Sequence, residues 1–186
     1  MIEPSTWRNA HQPVAAHALA EALLDPGRYA HTRGVAQQAA RLARATGASR
    51  TVRGLLLSAA WLHELDEPWL VARSLRRAGC EPLARVVAHR GAAACVLEMR
   101  EGRRLRLEFP EPLGSPALVL ELLDIAALTT DAAGAPGSPA AALRALVEEH
   151  GSRSPWVRAT VGLVAEISGH PERRALVERV AAGTLV

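Results

Sequence analysis

The chain has 186 residues, 49% of them hydrophobic and 22% charged, which is enough apolar mass to enclose a core and too much for a disordered tail. Only 3% are aromatic, and the apolar mass is carried by Ala, Leu and Val, with Ala about a fifth of the chain; this is the composition of packed helices and argues against an all-β fold. All 22 basic residues are Arg and the formal net charge is +3, an excess too small to describe a nucleic-acid-binding surface.

Val14 to Leu24 predicts an Ala/Leu helix stopped by Asp25-Pro26-Gly27. Val35, Ala39, Leu42 and Ala43 give the i, i+4, i+7, i+8 stripe of a second helix ending near Gly47. A third follows Ser49 and runs through Leu55, Leu56, Ala59, Ala60 and Leu62 as far as Pro68, whose ring stops a helix. Trp69 to Ala78 closes on Gly79, and Pro82 to about Met99 follows, with Gly91 as its weak point. Leu105 to Glu111, with prolines at its end, reads as a loop with a short extended stretch. Ser115-Pro116, Ser138-Pro139 and Ser154-Pro155 each place a capping hydroxyl before a proline of pre-set φ, marking three helix starts. The helices expected there are Ala117–Thr130, Pro139–Glu149 and Pro155–Ser168, with Pro171–Ala182 the last and Ala132–Gly137 the clearest loop. No internal repeat or long linker divides the chain, so one helical domain over 1–186 is expected.

Cys80 and Cys95 are the only cysteines, without a C-x-x-C pair, which argues against a disulfide framework or thiolate cluster and for a reducing cytoplasm. Met1 to His11 has no apolar segment of the signal-peptide kind. No uninterrupted apolar run approaches the roughly 18–20 residues of a membrane span.

Chemistry is offered by the seven histidines, sorted by their place on the helices. His31 precedes Val35 by four residues and Ala39 by eight, on the buried stripe of the second helix. His63 follows Ala60 and Leu56 by three and seven, on the apolar face of the third, and Glu64 follows at once. Imidazole and carboxylate both suit Zn, Mn or Fe, so the group is a candidate metal nucleus; a hydrogen-bonded core histidine is the alternative. Glu121 and Asp131 lie three before and seven after Asp124, the spacing of a wet helix stripe, with a ligand role for Asp124 as the other reading. Trp61 and Trp69 flank the His63-Glu64 pair as core, cap or pocket wall. Arg73, Arg76 and Arg77, and Arg100, Arg103, Arg104 and Arg106, read as solvated faces. His11, His17, His150 and His170 have no evident partners.

Arg28-Tyr29-Ala30-His31-Thr32-Arg33-Gly34-Val35-Ala36, Ser58-Ala59-Ala60-Trp61-Leu62-His63-Glu64, Leu83-Ala84-Arg85-Val86-Val87-Ala88-His89-Arg90 and Ile125-Ala126-Ala127-Leu128-Thr129-Thr130 resemble, in order, the signatures of small bacterial proteins of the HD-domain superfamily, all-helical metal-dependent phosphohydrolases. The resemblance spans about residues 23–130, with a looser match into the helices of 138–182, and implies an all-α bundle of HD-domain type. In that family an early His, an adjacent His-Asp pair and a distant Asp hold a metal whose bound water attacks a phosphate. His31 and His63 match the two histidines. Glu64 stands where the family has Asp, its extra methylene moving the oxygens by about a bond length in a site tolerant of ~0.2 Å. The distant Asp falls on Ala127, with Asp124 three residues earlier. Leu65 to Trp69 replaces a longer covering loop, and Arg90 brings a cation beside His89 where some relatives have a second His; at about 4 Å, with an effective dielectric near 20, that repels a metal by on the order of several kcal/mol.

The resemblance with these departures implies a degenerate member: no metal expected, and a pocket of His31, Trp61, His89 and Arg90 taking a small polar or anionic ligand, with His63 and Glu64 doing acid–base chemistry. The alternative is an active phosphohydrolase on nucleotides or phosphate esters, with Mn, Fe, Ni or Zn held by His31, His63, Glu64 and Asp124. A non-catalytic interaction protein, including a homodimer, is the third reading. None involves nucleic acid or a membrane.

Overall fold

Proline stands in the first two positions of most helices in this chain, where its fixed φ suits the first turn and its missing N–H removes a donor that has no intrahelical acceptor. A computed structural model describes residues 4–92, 95–96, 104–182 and 184. Every element among them is a helix, and the one extended pairing is an isolated antiparallel bridge between Thr130 and Pro136. In chain order the helices are α1 (Pro4–Trp7), α2 (Pro13–Leu23), α3 (Pro26–Ala45), α4 (Arg50–Leu62), α5 (Pro68–Arg77), α6 (Glu81–His89), α7 (Arg104–Glu108), α8 (Ser115–Leu128), α9 (Pro139–His150), α10 (Pro155–Gly169) and α11 (Pro171–Ala181).

The fold is built around α4. Its Leu56, Ala59, Ala60 and Leu62 are fully buried, and α2, α3, α6 and α8 pack against it. Small residues make this close approach feasible, because Ala59 and Ala60 on α4 meet Ala39 and Ala43 on α3 and Ala126 on α8 in one continuous core. Helix α8 is apolar on nearly every face and is buried through Val119, Leu122, Leu123, Ile125 and Ala126, as expected of a helix with neighbours all round. The terminal hairpin is more peripheral. Helix α9 packs chiefly on α10, α10 on α11, and α11 returns to α3; α9 itself has no buried residue.

Several element boundaries differ from the sequence expectation for identifiable reasons. Asp25-Pro26-Gly27 stops α2 and also starts α3: the Asp25 carboxylate accepts the Arg28 N–H at 3.0 Å and Pro26 takes the first helical position. Helix α4 ends at Leu62, short of Pro68, because Asp66 sits at φ 23° and turns the chain; His63 and Glu64 therefore lie at the end of the helix. Ser138 and Ser154 cap α9 and α10 as expected, but α8 is capped by Gly114 at φ 62°, with Ser115 already helical. Helix α6 ends at His89, where Arg90 turns extended and Gly91 takes φ 53°; Ala93, Ala94 and 97–99 of the expected longer helix lie outside the described residues, as do Arg100 and Arg103. Arg104–Glu108 forms a helical turn where a loop was expected.

The Asp25 cap is worth testing because Arg28, in the first turn it stabilises, reaches the site described below. Asp25→Ala is expected to cost about 1 kcal/mol, a fall of roughly 2–4 °C in melting temperature for a chain of this size, read by thermal unfolding; an unchanged transition would show that the cap contributes nothing.

Candidate functional site

The C-terminal end of α4, the N-terminal half of α3, the Arg90–Ala92 turn and α8 converge on a cavity of about 750 Å³, roofed by α9 and α10. That size lies within the range of small-molecule sites. Its floor carries His31, His63, Glu64, Arg90 and Asp124, and Arg28 stands at one side.

Both imidazoles are fixed by backbone carbonyls. His63 Nδ1 lies 2.7 Å from the Ala60 carbonyl, one turn back on its own helix, and His31 Nδ1 lies 2.8 Å from the Asp131 carbonyl. A carbonyl only accepts, so each Nδ1 carries the proton and each Nε2 is left with a lone pair. The rings are 5.4 Å apart, centroid to centroid, and one ligand atom from each of His31, His63 and Glu64 falls within 4.8 Å of the others. His63 Nε2 is buried with no hydrogen-bond partner, and burial drives the ring's pKa down to about 4, with Glu64 opposing and Arg90 and His31 adding to the fall. His63 is therefore a neutral acceptor at neutral pH.

The His31 contact depends on a close meeting of backbones. The loop after α8 is folded by Asp131, whose carboxylate accepts the N–H groups of Ala133 and Ala135, and its Gly134 lies against α3 at Gly34. A Cβ on Gly34 would stand 2.3 Å from the Gly134 carbonyl oxygen, and one on Gly134 would stand 2.2 Å from that of Ala30. Two glycines thus let the loop come near enough for its Asp131 carbonyl to hold His31.

One guanidinium group holds Glu64 and a second lies near enough to act on its charge. Arg28 Nε lies 3.4 Å from its carboxylate and Arg28 Nη2 donates to its backbone carbonyl, while His63 Nε2 is 3.6 Å from the other carboxylate oxygen. Burial alone would raise the Glu64 pKa, but His63, Arg90, His31 and Arg28 outweigh it and hold the carboxyl below its usual range. Arg90 lines the cavity with its Nε buried and without a partner. Burial lowers its pKa to about 10, so it stays charged at neutral pH.

Asp124 is not on a wet stripe. It is 8% exposed, and its Oδ1 accepts the Gly91 N–H at 2.8 Å; Glu121 instead pairs with Arg173 at 2.8 Å, and Asp131 folds its own loop. Burial pushes the Asp124 pKa up to about 7 against the lowering effects of the Gly91 N–H and Arg90. Of the four residues expected as ligands in the metal-binding alternative, the fold therefore gathers His31, His63 and Glu64 and leaves Asp124 outside the cluster, turned onto Gly91. Ala127 lines the cavity and offers no donor.

Two expected pocket residues lie elsewhere. Trp61 faces α2, its ring 4.2 Å from that of His17, which bonds the Tyr29 hydroxyl at 2.8 Å; it is not among the lining residues. His89 Nε2 donates to the Phe109 carbonyl at 2.7 Å and ties the chain after α7 to the end of α6. Arg73 and Arg77 are exposed, as expected of a solvated face, and Arg73 and Arg76 also act as braces: Arg76 grips Glu81 through two nitrogens and lies 3.9 Å from the Phe109 ring centre, and Arg73 does the same with Glu108 and Trp69. Sequence reasoning quoted Arg28 without giving it a role, although its position three before His31 places both on one helix face. It missed the Asp131 carbonyl and the α9–α10 roof with Trp156, for which no local pattern exists.

No family model, curated protein or solved structure matches the chain. Among the described residues, no helix is long and apolar enough to cross a membrane.

Proposed function

We propose that the chain is a divergent protein of HD-domain type whose cavity binds a small molecule by an anionic group, such as a phosphate monoester, held between Arg28 and Arg90, with His63 and Glu64 as an acid–base pair beside it. The observation that carries this reading is the buried, unpartnered Arg90 Nε in a cavity that also holds a buried, unpartnered His63 Nε2. A buried donor and a buried acceptor left open in one place call for a ligand offering both. A phosphate monoanion does so: its oxygens accept from guanidinium and its O–H donates to an imidazole lone pair. Five carboxylates also line the cavity, but Asp25, Asp131 and Glu149 are exposed, the first two already accepting backbone N–H groups. On the floor, Arg90 is charged at neutral pH, while burial pushes the Asp124 pKa up to about 7 and so weakens its negative charge.

On this reading Arg28 and Arg90 orient the anion, His63 Nε2 accepts a proton from it, and Glu64 stabilises the imidazolium so formed. The anion's own charge raises the His63 pKa toward neutrality, the range in which a general base is effective.

A second reading is favoured by the clustering of His31, His63 and Glu64 with both imidazoles fixed to present Nε2, an orientation that metal-binding histidines share. These three residues would hold a divalent cation (Mn, Fe, Ni or Zn), which when bound supplies Lewis-acid activation of water for phosphate-ester hydrolysis. They fit as a three-donor set with open positions. The absence of a donor at Ala127 and the hold of Arg28 on Glu64 weaken that fit, which places this reading second.

Calorimetry with inorganic phosphate, coupled to elemental analysis of protein purified without chelator, decides between them. Saturable phosphate binding by metal-poor protein, weakened at least tenfold by Arg90→Gln, is the expected result. Stoichiometric metal lost in His63→Ala would transfer the assignment to the hydrolase reading, and phosphate binding indifferent to Arg90 would remove the first one.

A further inference from the structure

The charged floor makes up only part of the cavity lining. Beyond it the lining is mostly apolar, from Leu123 and Ala127 of α8, Ala141, Ala145 and Leu146 of α9, and Leu163 of α10, with Thr130, Ser138, Glu149 and Thr160 as its polar members. Trp156 at the start of α10 also lines the cavity. Helix α9 supplies this wall while having no buried residue, so its Ala141-Ala145 face meets open space instead of core. An apolar helix face over a cavity gains free energy only when something apolar fills the space. His63, 4% exposed and with its Nε2 unpartnered, is among the residues lining the same cavity and marks its polar part as a place where a ligand group is missing a partner.

We infer that the ligand is amphiphilic: an anionic head at Arg28, Arg90 and His63, and an unbranched aliphatic body lying along α9 between Ala127 and Trp156. This rests on the proposed assignment of the charged end and adds the chemistry of what is attached to the anion. Alanines at 127, 141 and 145 leave room for a chain of methylenes, and side chains of this kind offer no hydrogen bonds to a polar body. A sugar or a nucleobase laid against these alanines, Leu123 and Leu163 would leave there hydroxyl or amide groups without partners, a cost of about 1–3 kcal/mol for each such group. The position without a metal-ligating carboxylate, Ala127, is on this view part of the wall against which the aliphatic chain lies.

The experiment is isothermal calorimetry on the full chain with inorganic phosphate, ethyl, butyl and hexyl phosphate, and adenosine 5′-monophosphate. Affinity is expected to rise about two- to fourfold with each added methylene from ethyl to hexyl. Ala145→Phe, which fills the apolar part from the α9 side, is expected to flatten that rise and leave the inorganic phosphate affinity unchanged. A flat series in the unaltered protein, with inorganic phosphate still bound, overturns the aliphatic body and leaves the anion site standing. Tighter binding of adenosine monophosphate than of hexyl phosphate, or a rise with chain length that Ala145→Phe does not alter, also overturns it. Failure of inorganic phosphate itself to bind removes the underlying assignment along with it.

Discussion

Gly34→Ala is expected to destabilise the protein by about 2–3 kcal/mol, within the usual range for overpacking a well-filled contact, and to lower the melting temperature by roughly 5–10 °C. The added methyl would stand 2.3 Å from the carbonyl oxygen of Gly134 and 2.5 Å from its Cα. Both obstacles are backbone, so no side-chain rotation relieves the clash and either α3 or the 131–137 loop must move. Movement of the loop also carries away the Asp131 carbonyl that fixes His31 through Nδ1, so phosphate affinity is expected to fall in the fraction that remains folded. Gly134→Ala acts in the same direction with an added penalty, because that residue sits at φ +82°, a conformation costly for any side chain with a Cβ. Gly54→Ala is the control: it lies inside α4 with nothing within 4 Å of its added methyl, and there the substitution is expected to stabilise by about 0.5–1 kcal/mol. Thermal unfolding of the three variants checks both signs, and equal effects at positions 34 and 54 would refute the close-packing account.

Asp124→Asn is expected to change how stability depends on pH. The Asp124 pKa lies near 7 in the folded protein against an ordinary 3.8, a rise caused first by burial. Arg90 and the Gly91 N–H favour its ionised form, while Glu166 and Glu121 disfavour it. Between about pH 4 and pH 7 the folded state keeps a proton that the unfolded state has released. Stability contributed by this group is therefore fully present below the unfolded value and is lost as pH rises through the folded one, by on the order of 2–4 kcal/mol in total. Asn retains an oxygen for the Gly91 N–H and cannot ionise. At pH 8.5 the variant is expected to be the more stable by that order, and at pH 4.5 the difference is expected to be small. His63 acts with the opposite sign: its pKa is lowered to about 4, so stability is lost as pH falls from about 6.5 toward 4, in both proteins alike. Urea denaturation from pH 4.5 to 8.5 reads both effects; parallel profiles for the two proteins above pH 5 would show that Asp124 does not titrate in this way.

Most helices were legible because their signals are local. The stripe of Val35, Ala39 and Leu42 is set by 3.6-residue periodicity, and Ser138 and Ser154 cap helices through atoms two or three residues away. The misreadings arise where a residue's partner is distant in sequence. Asp124 has the spacing of a solvent-facing stripe with Glu121, but its carboxylate is taken by Gly91, 33 residues earlier. Trp61 stands next to the candidate pair in sequence, yet its rotation about α4 sends it to His17 on α2. His89, also assigned to the pocket, is taken by the carbonyl of Phe109, 20 residues later.

The sequence by itself determined an all-helical chain whose charge excess is too small for a nucleic-acid surface, because composition, periodicity and capping act over a few residues. It also marked His31, His63 and Glu64 as residues to watch. Only the tertiary structure decided that these three meet, that Arg28 and Arg90 stand beside them, and that Asp124 does not join them. It alone showed that α9 and α10 add a mostly apolar wall to the same cavity. Those outcomes depend on how α3, α4, α8 and the terminal hairpin approach one another, and that approach is set by packing volume and by the contact of Gly34 with Gly134, 100 residues apart, which no local pattern encodes.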